Sequence, residues 1–233
     1  MKFKCLASAL ALAATPAVAE NVGYSYADDS FTGYFAAAEE PRGLILIVHD
    51  WDGLTEYERR RADMLAEMGY DAFALDMFGD DTPTETMDHR RAATGALYQD
   101  RARMRGLLEA GLEQARGQSG AEGLVVMGYC FGGAVTLEMA RSDMADAAAG
   151  YASFHGGLST PEGQGWDGDE PPLLILHGRE DQTVPLRQAE RLLAAAEDPK
   201  FTKIYEDGGH ENLSRLGATE DVATFIGTLR GVR

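Results

Sequence analysis

The sequence predicts an α/β fold, with a mostly parallel central sheet carrying helices on both faces in a single domain. Three observations carry this. Short continuous apolar runs at residues 44–48, 124–127 and 173–176 read as strands buried on both faces, which is the habit of parallel sheets covered by helices. Stretches with apolar residues at helical spacing separate those runs, and alternation of strand and helix builds such a sheet. The chain has 233 residues and is 45% hydrophobic, enough for one sizeable core and too little for two large domains.

Taken in order, residues 22–26 and 31–37 form candidate strands around Ala27, Asp28, Asp29 and Ser30, an opening hairpin. Gly43 then introduces a β-branched run, 44–48, which ends at His49 and Asp50 and reads as a central strand. Trp51, Asp52 and Gly53 make a turn. Thr55 with Glu58 spells a capping box ahead of a helix that turns Tyr57, Met64, Leu65 and Met68 towards the sheet, and Gly69 closes it. Residues 71–76 form the next strand, and the acidic, turn-rich stretch 77–86 is a loop. Helices are expected over about 87–99 and 100–118, the second burying Met104, Leu107, Leu108 and Leu112. The run 124–127 leads into GYCFGG, and 134–140 suits a helix. Residues 147–154, 173–176 and 203–205 read as the remaining strands. Pro185 suits the first position of a helix, and Val222, Phe225, Ile226 and Leu229 recur at helical spacing in the last one. Residues 157–172, rich in glycine and proline, form a long polar loop. It is either a surface excursion or a cover for a site, with Trp166 as the bulky side chain that could touch a ligand.

Residues 1–19 stand apart from this domain. Lys2 and Lys4 make a basic start, residues 6–14 an apolar middle, and Ala17, Val18 and Ala19 an AxA cleavage site, the pattern of a secretory signal peptide cut after Ala19. The apolar run is well short of the about 20 residues that span a bilayer, and Cys5 lies too early for a lipid-anchored cleavage point. The expectation is therefore a domain over 20–233, periplasmic or secreted, with no membrane association after cleavage. Losing two lysines and no acid takes the formal charge from −17 to −19. Such acidity opposes binding to nucleic acid or anionic lipid, both of which need basic patches. Of the two cysteines only Cys130 survives cleavage, so no internal disulfide forms and the lone thiol invites a reactive role.

GYCFGG, residues 128–133, sets Cys130 where a buried strand turns into a helix. A nucleophile at such a corner needs strained backbone and small neighbours, which glycines two residues before and two after provide. The start of a helix is expected to favour thiolate over thiol. In α/β-hydrolases an acid and then a histidine follow the nucleophile, each on a loop after a strand. Here 173–176 runs into Glu180 and Asp181, with Asp181 preferred and Glu180 as fallback, and the strand at Ile204 runs into Gly208, Gly209 and His210, the candidate general base. The backbone N–H of Phe131 is expected as one oxyanion donor and that of Trp51 as the other. His49 and His177, at strand ends, are expected to shape the site or bond to backbone. No pair of histidines stands at metal-ligand spacing and HExxH is absent, so neither a metal nor a cofactor is expected.

GYCFGG together with HDWDGL at 49–54, GREDQTVP at 178–185 and GGH at 208–210 resembles the dienelactone hydrolase family, the cysteine-using branch of the α/β-hydrolases. The resemblance spans nearly all of the expected mature chain. It implies an α/β-hydrolase fold and a Cys130, Asp181, His210 triad that hydrolyses a small-molecule ester or lactone through an acyl-thioester. It also implies that Asp50, where the best-known members carry glutamate, contacts the resting thiol. Members that cleave dienelactone hold a substrate carboxylate with arginines, one shortly after the histidine; Ser214 stands near that position here and Arg215 one beyond. Two other readings of the lone thiol stay open: a thiol redox or peroxide-reacting protein, which would lack a resolving cysteine, and a catalytically silent binding protein on the same fold.

Overall fold

In the computed structural model, which describes residues 19–166, 168–195, 201–205, 208–210, 218–229 and 232, the opening hairpin forms, with Asp29 and Ser30 drawn from the expected connection into its second strand by pairing with Tyr26 and Ser25. Strand β1 (Ala19–Tyr26) pairs antiparallel with β2 (Asp29–Ala36), and Ala27 takes a φ of 53° in the turn. The expected signal peptide lies outside the described residues, apart from Ala19, which opens β1. The expected positions of Ser214 and Arg215 also lie outside them.

Strand β3 (Leu44–Val48) is followed by α1 (Glu56–Glu67), whose capping box is complete: the Tyr57 N–H donates to Thr55 Oγ1 and the Thr55 N–H to Glu58. Gly69 leaves this helix at φ 88°, a conformation that glycine adopts without strain. After β4 (Asp71–Leu75) come α2 (Met87–Gln99) and α3 (Arg101–Gln118), then β5 (Leu124–Tyr129) and α4 (Phe131–Ala140). Strand β6 (Gly150–Phe154) starts later than the expected 147, because Ala145–Ala147 forms a 3₁₀ turn to which the Tyr151 hydroxyl donates at Ala145 O, 2.7 Å. Strand β7 (Leu173–Gly178), α5 (Arg187–Ala195), β8 (Phe201–Tyr205) and α6 (Ala218–Thr228) complete the order. Pro185 precedes α5 rather than opening it, and its carbonyl accepts from the Gln188 N–H.

The strands lie in one sheet in the order β1-β2-β4-β3-β5-β6-β7-β8; β2 pairs antiparallel with both β1 and β4, and β3 to β8 are parallel. Side-chain alternation divides the core between its two faces. Leu44, Leu46 and Val48 pack with Leu107, Leu108 and Leu112 of α3, Val135 of α4 and Leu192 of α5. Ile45 and Ile47 pack with Leu65 of α1 and Phe225 and Ile226 of α6. Each such side chain removed from water contributes about 1.5–3 kcal/mol. This is the α/β-hydrolase fold. Because β4 and β5 flank β3 on opposite sides, the connections after β3 and β5 diverge, and a crevice opens at the carboxyl ends of the strands. No helix among the described residues is long and apolar enough to cross a membrane.

Candidate active site

At the carboxyl end of β5 the backbone is forced. Cys130 has φ 47° and ψ −105°, a strained combination for a residue with a side chain, and α4 begins at once with Phe131. The neighbouring glycines are required by contact. A Cβ on Gly128 would lie 2.2 Å from Gly132 O, and one on Gly132 would lie 2.2 Å from Val48 O. A Cβ on Gly133 would meet Gly156 and Ser153 less severely, at 2.8 Å. The corner is pinned by the Cys130 N–H to Phe154 O (2.9 Å) and the Ala134 N–H to Cys130 O (3.1 Å).

The loops after β7 and β8 bring the acid and the histidine to this corner. Asp181 is buried, with Oδ1 accepting from the Thr183 and Val184 N–H groups, both at 2.8 Å, and Oδ2 bonded to His210 Nδ1 at 2.8 Å. The other ring nitrogen of His210 lies 3.2 Å from the Cys130 sulfur. With the carboxylate on Nδ1, that nitrogen carries the proton and Nε2 presents its lone pair to the thiol. Asp181 therefore stands where the preferred acid was expected; Glu180 is exposed. His177 Nε2 donates to Val184 O at 2.7 Å and props the acid loop from beneath. His49 does the same for the loop after β4, accepting the Met77 N–H at Nε2, 3.0 Å. Both histidines bond to backbone as the sequence suggested.

Asp50 and Trp51 meet the thiol from the end of β3. Asp50 lies close enough to the Cys130 thiol for each to shift the other's titration, and its Oδ1 accepts the Trp51 N–H at 2.5 Å. The second expected oxyanion donor is thus turned to Asp50. Burial raises the Asp50 carboxyl to about 6. The thiol does not follow the helix-dipole expectation: burial pushes it up, and the charge of Asp50 pushes it further, outweighing the Phe131 N–H. The dipole adds only a modest term at a helix end, whereas desolvation acts on the whole thiolate charge.

Sequence reasoning missed two contributions. Met87, Arg91, Thr94 and Tyr98, spaced i, i+4, i+7 and i+11, form one stripe of α2 along a cavity of about 530 Å³ that reaches Cys130 and His210. Trp51, Phe131 and Val184 form its other walls. The helical spacing was a legible signal, but α2 reads as a charged surface helix and buries only Leu97. His155 was also missed. It follows β6 at φ 41°, and its ring meets that of His210 edge to face with centroids 4.5 Å apart. Burial, with His210 beside it, pulls His155 down to about 3, so it is neutral. Trp166, by contrast, does not line the cavity: the Arg141 guanidinium stacks 5.0 Å from its ring, and its Nε1–H donates to Thr160.

Polar groups gathered at the carboxyl end of the sheet, around a strained corner after its fifth strand, are the layout of an α/β-hydrolase. The sequence narrows this further: residues 31–223 match the dienelactone hydrolase family, and the chain belongs to it. It is similar to the carboxymethylenebutenolidase of Pseudomonas putida, 27% identical over 201 residues that cover 80% of this chain and 81% of that protein. The carboxymethylenebutenolidase of Rhodococcus opacus is 27% identical over 180 residues, covering 74% and 71%. Among solved structures, a dienelactone hydrolase-like promiscuous phosphotriesterase from metagenomic libraries matches with a TM-score of 0.74 at 25% identity, covering 94% of this chain and 91% of that one.

Proposed function

We propose that this chain is an exported hydrolase of carboxylic esters or lactones that works through Cys130, His210 and Asp181 and an acyl-thioester intermediate. The observation behind it is the His210 ring, bonded to Asp181 on one side and 3.2 Å from the Cys130 sulfur on the other. His210 Nε2 takes the thiol proton as Sγ attacks the acyl carbon, and Asp181 supports the imidazolium that results. Charge developing on the carbonyl oxygen meets the Phe131 N–H at the first turn of α4. The Trp51 N–H becomes the second donor once Asp50 releases it. The tetrahedral intermediate collapses as His210 gives its proton to the leaving alkoxide, and the acyl group stays on sulfur. Water, deprotonated by the same ring, attacks the thioester; the acid departs as the sulfur regains its proton.

A thiol held neutral at rest suits a mechanism in which the proton leaves only during attack. It weighs against a thiol redox or peroxide-reacting protein, which needs a standing thiolate. The cavity walls of Trp51, Phe131, Tyr98 and Val184 favour an apolar acyl or alcohol group, and Arg91 offers a cation to an anionic one. The relatives' name, carboxymethylenebutenolidase, supports including lactones.

The test is a panel of short-chain activated esters and lactones. Mass spectrometry is expected to catch an acyl adduct on Cys130, and Cys130→Ala is expected to cut kcat/KM by roughly 10⁴-fold or more. Turnover unaffected by that substitution would sink the mechanism, and an intact chain that turns over no ester would favour a silent binding protein. For export, the mature protein recovered from the cell envelope or medium is expected to begin at Glu20.

A further inference from the structure

We infer that Cys130, His155 and His210 form a reversible binding site for a thiophilic divalent cation, zinc in particular, which silences the site while bound. The three residues come from separate loops, after β5, β6 and β8, so no sequence spacing announces them. Their ligand atoms nevertheless lie within 4.8 Å of one another. His210 Nε2 and the Cys130 sulfur are already 3.2 Å apart. With Zn–N bonds of about 2.0 Å and Zn–S bonds of about 2.3 Å, tetrahedral ligand atoms sit roughly 3.3–3.6 Å apart, so closing the cluster needs movements of roughly 1 Å.

Two independent features prepare the cluster. His210 donates Nδ1–H to Asp181, the carboxylate–histidine arrangement that aims the opposite nitrogen at a metal. Asp50 and Asp181 both stand near the sulfur, and neither pairs with a lysine or arginine among the described residues, so a divalent cation supplies the charge the protein withholds. Binding forms one Zn–S and two Zn–N bonds and releases the thiol proton to water, with no change of oxidation state. The fourth position goes to an oxygen ligand, the Asp50 carboxylate or water from the cavity. One thiolate and two imidazoles select zinc, cobalt or cadmium over magnesium and calcium. The inhibitory consequence rests on the proposed hydrolysis, because the cation takes both the sulfur and the lone pair of His210. The binding itself does not.

The experiment titrates chelator-stripped protein with Co²⁺ and Zn²⁺. Cobalt is expected to give visible bands of a tetrahedral site with two imidazoles, and a near-ultraviolet thiolate-to-cobalt band that Cys130→Ser abolishes. Zinc at micromolar concentration is expected to stop ester turnover reversibly, with millimolar magnesium inert. His155→Asn, chosen because asparagine tolerates a positive φ, is expected to weaken zinc and cobalt by more than the roughly tenfold typical of losing an outer partner, read from the metal titration itself. Should that variant not fold, the visible bands of the unsubstituted protein still separate a three-ligand site from a two-ligand one. No cobalt band, or unchanged zinc affinity in His155→Asn, overturns the inference. Absence of ester turnover would remove the proposed function instead, and the cobalt spectrum would still decide this site.

Discussion

Two carboxylates, Glu138 and Asp50, are taken out of water in opposite ways. Glu138, fully buried on α4, meets Arg101 at 2.6 Å, Arg105 at 2.7 Å and Arg141 at 3.7 Å, and accepts from the Gln164 amide at 2.8 Å. This network ties α3, α4 and the loop 157–172 together, and Arg141, pulled down to about 10 by its own burial, carries Trp166 on its face. Asp50 has no arginine or lysine partner among the described residues; it stands beside a thiol and accepts a backbone N–H, and burial lifts it to about 6. One carboxylate is compensated and builds structure. The other is left uncompensated beside the sulfur and raises the thiol with it, the withheld compensation expected where chemistry is done.

Glu138→Gln would test the contrast most severely. Three guanidiniums would then surround a neutral amide, and the unfolding free energy is expected to fall by about 3–5 kcal/mol in urea titration, with kcat of the folded fraction kept. A change below about 1 kcal/mol would mean the cluster is ordinary surface charge.

Asp50→Asn is expected to act with the opposite sign. A carboxyl raised from its ordinary value near 4 to about 6 keeps its proton in the folded state where the unfolded chain has lost it, so stability falls as pH rises from about 4 to about 6 and stays lower above. Asparagine lacks that penalty. The variant is expected to be more stable by about 1–3 kcal/mol at pH 7, with the gain vanishing towards pH 4. Its thiol, freed of a neighbouring negative charge, is expected to react with iodoacetamide about tenfold faster at pH 7. Slower alkylation would break the assignment of Asp50 as a group that, added to burial, raises the thiol.

The smallest effect is expected at Arg91, the largely exposed cation on the cavity wall. Arg91→Gln should raise KM for a carboxylate-bearing ester about two- to fivefold and leave a neutral ester unchanged, read from paired Michaelis–Menten curves. Equal changes for both would place the arginine outside substrate recognition.

Some of this was written locally. The Thr55–Glu58 capping box and Gly69 closing α1 involve neighbours in the chain, and they form as the residues specify. The glycines around Cys130 are legible for a similar reason, since their contacts lie in the corner itself and against the strand beside it. Other features have no local signature. The late start of β6 comes from a 3₁₀ turn held by Tyr151 Oη. The α2 stripe looks like solvated surface until the cavity lies against it, and Trp166, the apparent ligand contact, is drawn away by Arg141.

By itself, then, the sequence determined the order of elements, the strained corner at Cys130 and the loops that deliver Asp181 and His210, because patterning and steric demands of a turn are properties of adjacent residues. Only the tertiary structure decided the chemical state of that corner. Burial and the approach of Asp50 hold the thiol neutral against the helix dipole, Asp50 takes the Trp51 N–H, and His155 comes against His210. Desolvation and charge act between groups distant in the chain, and they depend on distances that no spacing of residues encodes.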